Sequence, residues 1–178
     1  MARTSLADYP CSIARTLDAI GDQWSFLIIR DALLGRETFT DFQKSLRVSK
    51  NILSQRLGSL VEQGILSKEP QSPNGRRNRY RLTDRGMALF PIVVAMLQWG
   101  DKWCFGSLGE PIKVLDAKTK APVQNVVVVS RDGQCLQAHD VIYERSADAR
   151  EQNSSSMTFL SRMSLPQLDR HRAVVAMR

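Results

Sequence analysis

Residues 49–82 read SKNILSQRLGSLVEQGILSKEPQSPNGRRNRYRL, and this stretch decides the fold. Ser49 is a good helix N-cap, Leu53, Leu57, Leu60 and Val61 recur on one helical face, and Gly64 supplies a stop, so a helix is expected over 50–63. Asn51, Gln55, Gly58 and Glu62 point the opposite way. The runs 65–68 and 79–82 read as two strands, and the Pro and Asn-Gly signals between them mark a turn, giving a hairpin with a basic tip. Along its second strand Arg77, Arg79 and Arg81 alternate, so they project to one side while Tyr80 and Leu82 face the core. Such a row of guanidinium groups repels itself unless something anionic meets it.

Upstream, Ile13, Leu17 and Ile20 share a face over 11–20, with Gly21 as the stop. Asp22 is placed to cap a core helix running to Leu34, with Trp24, Leu27, Ile28 and Ala32 at helical spacing. Thr40 is read as the cap of a brief helix carrying Phe42 and Leu46, after which Arg47 and Val48 turn the chain. Downstream, Thr83 or Asp84 caps a long helix towards Trp103, in which Pro91 makes a kink or marks the working start. Two short helices, a tight turn and a basic hairpin make a winged helix-turn-helix, whose second helix enters the major groove of DNA.

The fold class expected is therefore mainly α with a small β wing, followed by a small β-rich C-terminal extension. Strands are expected in that extension over 112–115, 123–129 and 141–143, with Asp132-Gly133 as a hairpin turn. The domain plan is 1–105 for DNA binding and dimerisation, 106–145 for the extension, and 146–178 for a polar, Ser-rich tail read as disordered at its start.

A length of 178 residues suits one domain with an appendage, and 43% hydrophobic with 24% charged residues excludes wholesale disorder and fibrous or coiled-coil classes. The net charge of +7 favours a polyanionic partner, and its distribution supports this: residues 1–103 carry 15 basic and 10 acidic side chains, the remainder 10 and 8. The longest apolar run, 90–97, is far shorter than a membrane span, and the first ten residues do not resemble a signal peptide, so a cytoplasmic protein without a membrane partner is expected. No nucleophile–base pairing, Gly-rich phosphate loop or paired-His motif suggests an enzyme or a bound cofactor.

Asn51 and Gln55 are the expected base readers, because a side-chain amide pairs bidentately with the adenine edge. Ser49, Lys50, Ser54 and Arg56 flank them as phosphate contacts, and Arg76, Arg77, Arg79 and Arg81 supply the wing's grip. Leu89, Ile92, Met96, Trp99 and Trp103 form an apolar face larger than a small helical domain covers by itself, which calls for a partner chain.

Several segments in order complete the picture: Cys11-Ser-Ile-Ala-Arg-Thr-Leu-Asp-Ala-Ile-Gly-Asp-Gln-Trp-Ser-Phe-Leu-Ile-Ile-Arg-Asp, Leu33-Leu-Gly-Arg, Thr38-Phe-Thr-Asp-Phe, the 49–60 run, Gly64-Ile-Leu, Arg79-Tyr-Arg-Leu-Thr-Asp-Arg-Gly and Leu97-Gln-Trp-Gly. Together, over 11–103, they resemble the HxlR-type winged-helix regulators of the MarR-like superfamily. The resemblance implies a homodimeric bacterial transcription factor, with first and last helices at the dimer interface. The function expected is a regulator that binds a pseudo-palindromic operator in double-stranded DNA as a repressor and is released by a redox or small-molecule signal. Arg79 departs from the acidic residue often found before the tyrosine, so its DNA role rests on charge alone.

Cys11 opens the first helix, where the helix dipole favours a thiolate and Arg15 lies one turn along. The resemblance implies a cysteine here that senses oxidants or electrophiles, making Cys11 the candidate redox switch; the plain alternative is an inert packing thiol. Cys104 and Cys135 have weaker claims. Cys135 and His139 with Asp140 could supply part of a metal site, but a closed zinc site needs four ligands and only His171 remains to complete it, so no metal is expected. Trp24, Trp99 and Trp103 fit core and dimer packing better than a small-molecule effector pocket. The competing reading of the whole chain makes the extension a ligand-binding or protein-interaction module, with DNA contact secondary.

Overall fold

The computed structural model describes residues 5–72, 75, 77–105 and 109–144. Arg76, Pro73, Asn74, His171 and the tail expected over 146–178 lie outside the described residues. The helical part runs α1 (Ser12–Ile20), α2 (Gln23–Leu33), α3 (Phe39–Leu46), α4 (Lys50–Glu62), β1 (Leu66–Pro70), β2 (Asn78–Leu82), α5 (Asp84–Met87) and α6 (Phe90–Gly100), closed by a π-helical turn over Asp101–Phe105.

Capping explains where these helices begin. Asp22 Oδ1 accepts the N–H groups of Trp24 and Ser25 at 3.1 and 3.0 Å and starts α2 as expected. The cap of α3 is Thr38, two residues before the expected Thr40. Thr38 Oγ1 accepts the Asp41 N–H at 3.2 Å and donates to Asp41 Oδ2 at 2.6 Å, so an acid three residues on holds the cap in place and Thr40 falls within the first turn. Arg47 then takes a left-handed conformation, φ 51°, and the buried Val48 pins the turn before Ser49 caps α4 on Ile52 N–H. This is the turn of the helix-turn-helix.

Leu53, Leu57 and Leu60 of α4 are buried against Ile28 and Ile29 of α2 and Phe42 of α3. Gly64, at φ 65°, turns the chain out of α4 into β1, as a residue without Cβ does most cheaply. β1 and β2 pair antiparallel from Leu66 with Leu82 to Pro70 with Asn78, so both strands reach further towards the tip than expected while Ile65 lies outside β1, Pro70 occupying the last rung. Thr83 caps α5 through Gly86 N–H at 3.2 Å and donates its hydroxyl to Gly64 O at 2.6 Å. A Cβ on Gly86 would collide with the Ile65 carbonyl and Leu82 Cδ2, so the wing's base is locked to the end of α4. The single long helix expected here is two: Pro91 sits in the first turn of α6, where a missing N–H costs nothing, and so marks the working start.

Residues 109–126 belong with the helices. Gln98 of α6 donates Nε2–H to Gln124 O at 3.1 Å and accepts Val126 N–H on Oε1 at 2.8 Å. Pro111 and Ile112 close one side of an apolar cavity of about 340 Å³ whose other walls include Phe26, Leu27, Val93 and Leu97. The compact units accordingly divide between Val126 and Val127, later than the expected boundary at 105, because those contacts hold the start of the extension to α6.

The second unit holds a hairpin of β3 (Val128–Val129) and β4 (Cys135–Leu136), turned at Gly133 with φ 84° as its Asp-Gly signal predicts. Elsewhere in the extension strand propensity overstated structure. Residues 112–115 and 123–129 contribute only a bridge from Leu115 to Pro122 and the two residues of β3, and 141–143 is not a strand, Ile142 being 92% exposed with no surface to pack on. Among the described residues no helix is long and apolar enough to cross a membrane.

Candidate nucleic-acid interface

Burying Leu53, Leu57 and Leu60 forces the other face of α4 outward, and Ser49, Lys50, Asn51, Ser54 and Gln55 are all exposed along it. Two amides, two hydroxyls and an ammonium thus share one solvent-facing stripe with the helix N-terminus. Arg56 is different. It is half-buried, with Nε 3.2 Å from Asp22 Oδ1, the same oxygen that caps α2. In the free chain Arg56 thus also ties the recognition helix to its neighbour.

The wing is built as expected, then partly occupied by its own chain. Tyr80 packs edge-on against Phe42, with ring centroids 6.5 Å apart, and its burial raises the phenol pKa. Arg79 and Arg81 share the opposite side. Arg81 Nε lies 3.0 Å from Glu37 Oε1, and Arg79 Nε lies 3.8 Å from Glu37 Oε2. Glu69 comes within 4.0 Å of Arg81 Nη1, and the hydrogen bond that Arg81 Nε donates to Glu37 leads the causes that raise the Arg81 pKa. The repulsion that pointed to an external anion is thus relieved by the chain's own carboxylates. Arg77, nearer the tip, is exposed.

The sequence pattern of HxlR-like helix-turn-helix proteins matches residues 19–107. The chain belongs to the HxlR-like helix-turn-helix family. Among similar proteins, the helix-turn-helix transcriptional regulator Mb3122 of Mycobacterium bovis, itself uncharacterised, is 38% identical over 103 residues, 58% of this chain. The match spans 65% of that relative's own length, and Rv3095 of Mycobacterium tuberculosis gives the same figures. The crystal structure of PA1607, a candidate transcription factor, is 43% identical with a TM-score of 0.76, covering 80% of this chain and all of PA1607. PA1374 of Pseudomonas aeruginosa, also a candidate transcription factor, is 30% identical with a TM-score of 0.57, over 80% of this chain and 99% of its own. Residues 19–107 are thus a DNA-binding helix-turn-helix of transcription-regulator type. Both structural matches reach past those residues, so part of the extension is shared with these relatives.

In this HxlR-like chain the last helices carry the exposed apolar face. Met96 is 55% exposed, Trp99 62% and Trp103 65%, with Ile92 also exposed, and Ile13 of α1 reaches 71%. Ile13, Leu17, Phe26, Ile92 and Met96 line one apolar groove of about 560 Å³ between α1 and α6. Leu89 does not join them; it packs against its own core, since it precedes α6 on the side facing Val93. Trp24 likewise packs on the core, apart from the exposed Trp99 and Trp103.

Cys11 is exposed at the N-cap of α1 and makes no side-chain cap hydrogen bond. Arg15 turns back to donate from Nε to Tyr9 O at 2.8 Å, so its head group serves the preceding turn. Cys104 and Cys135 are free and exposed too. His139 pairs with its neighbour Asp140 at 3.5 Å, and among the described residues no three His, Cys, Asp or Glu side chains gather as a metal site would require.

Three participants escape sequence reasoning: Glu37, the Asp22–Arg56 tie, and Asp31, which is fully buried and takes Arg30 at 2.8 Å and Arg36 at 3.5 Å on one carboxylate oxygen. Each links positions that no periodicity connects. The one local cue is Arg30-Asp31 adjacency inside an apolar helix.

Proposed function

We propose that the protein is a homodimeric, sequence-specific DNA-binding regulator that acts in the cytoplasm, laying α4 of each subunit in successive major grooves of a pseudo-palindromic operator and repressing by occupying it. The observation that carries this reading is the exposed stripe of Asn51, Ser54 and Gln55 opposite the buried leucines of α4. Asn51 and Gln55 read adenine edges; Ser49, Lys50 and Ser54 hold phosphates beside the positive helix end. Arg77, with Arg76, grips the flanking backbone, whereas Arg56 orients α4 through Asp22. Arg79 and Arg81 reach phosphate only by leaving Glu37.

A second copy covering the α1–α6 groove and the tryptophans of α6 and the following turn accounts for the exposed apolar face, and two-fold symmetry then sets the half-sites about one turn of DNA apart or a multiple of it. Asn51→Ala and Gln55→Ala are each expected to lower operator affinity by about 1–3 kcal/mol and to relax discrimination against scrambled duplex, with the dimer still folded. Gel shifts in which both variants discriminate as the wild type does would remove the base-reading role.

For the releasing signal, exposed Cys11 at the start of α1 supports an oxidant or electrophile over a small-molecule effector. Modification there changes the surface next to the groove and so the angle between subunits. Diamide is expected to weaken operator binding in the wild type and not in Cys11→Ser. Equal loss in both proteins would move the switch elsewhere, and no loss in either would favour a small ligand.

A further inference from the structure

Glu37 lies in the link between α2 and α3, one residue before the Thr38 cap, and its backbone is fixed by the wing. Its carbonyl accepts the Tyr80 N–H at 2.7 Å, and Thr38 forms a bridge with Arg79 of β2. Thus anchored, one carboxylate spans two guanidinium groups, at 3.0 Å from Arg81 Nε and 3.8 Å from Arg79 Nε. All three side chains keep 36–48% of their surface in solvent, so another anion has access to the arginines. Exposed pairs of this kind contribute little to folding. The consequence of this one falls on what the arginines are free to bind.

We propose that Glu37 is a specificity-determining residue: it holds Arg79 and Arg81 away from DNA phosphates and so suppresses binding to arbitrary sequence. The inference rests on the DNA-binding reading above. Binding to arbitrary duplex comes almost wholly from phosphate neutralisation, so each cation withdrawn lowers it directly. On an operator the register is set by α4 and its base contacts, which Glu37 does not touch, and the wing meets only the phosphates that this register offers. On other sequences the protein settles wherever most cations find phosphate. Masking two of them therefore weakens the second kind of complex more than the first.

The test compares wild type and Glu37→Gln by fluorescence anisotropy on scrambled duplex and on a selected operator, from about 50 to 200 mM salt. Glu37→Gln should bind scrambled duplex roughly tenfold more tightly at the low-salt end and steepen its salt slope by ~1–2. Operator affinity should change less, so the ratio of operator to scrambled affinity falls. In an Arg79→Ala, Arg81→Ala background the same substitution should change nothing. Glutamine keeps the backbone bonds to β2; thermal melts confirm that the variant is folded, and Glu37→Ala repeats the measurement if it is not. An unchanged slope in a wild type that binds DNA overturns this inference alone. A gain that survives loss of both arginines also overturns it, since the effect is then one of general charge. A wild type that binds no duplex overturns the DNA-binding reading and this inference with it.

Discussion

Charging the α1–α6 groove with Ile13→Glu and Met96→Glu is expected to leave a folded monomer whose operator affinity falls by roughly 10²–10⁴-fold. Both side chains are more than half exposed in the single chain, so a carboxylate at either position leaves the core of Ile28, Phe42, Leu53 and Leu57 untouched. In an assembly that buries the groove, the same carboxylates would enter an apolar contact without partners, which is costly. Operator binding through two half-sites gains strength from holding both at once, so losing the second copy forfeits that avidity. Light scattering and gel shifts check the two parts together. A variant that remains dimeric and binds its operator as the wild type does would place the interface elsewhere, on a surface not including this groove.

The second large effect concerns Phe42, which is fully buried where α3, α4 and the wing converge and meets Tyr80 edge-on. Phe42→Ala is expected to cost about 3–5 kcal/mol, a large share of the ~5–15 kcal/mol that holds a domain of this size together. Urea denaturation gives the figure directly. Because Tyr80 loses the ring it leans on, the wing should also lose its fixed attitude to α4, and DNA affinity should fall even at temperatures where the variant stays folded. A loss below about 1 kcal/mol would show that the site collapses without strain and that the wing does not depend on this contact.

How much of this was legible in the sequence depends on how far apart the interacting residues lie. The recognition helix could be read because everything that defines it is local: Ser49 caps, Leu53, Leu57 and Leu60 repeat at helical spacing, and Gly64 stops it. The Asp-Gly turn of the extension was equally plain. The cap of α3 is less plain: Thr40 is followed by Gln43 as Thr38 is by Asp41, and only the fold shows that Thr38 and Asp41 form the cap. Pro91 left kink and start both open, and packing of Leu89 and Val93 on the core settled it as a start.

The arginine row shows a different kind of shortfall. The alternation is legible in the sequence and Arg79 and Arg81 share one side of β2, but the carboxylate between them lies 42 and 44 positions away at Glu37, and nothing short of the fold brings the α2–α3 link beside β2. In the extension, runs of valine and isoleucine carried strand propensity without a partner strand to realise it, so propensity alone overstated the structure there.

The Gln98 side chain bears on where the protein can be cut. The family match ends at residue 107, and a fragment stopped there would look complete by sequence. It would strip Gln98 of both its backbone partners and remove Pro111 and Ile112 from the wall of the apolar cavity, opening Val93 and Leu97 to water on the face of α6 turned towards the core. A fragment ending at Val126 is therefore expected to melt higher than one ending at residue 107, the segment after the last helix acting as a splint for that helix.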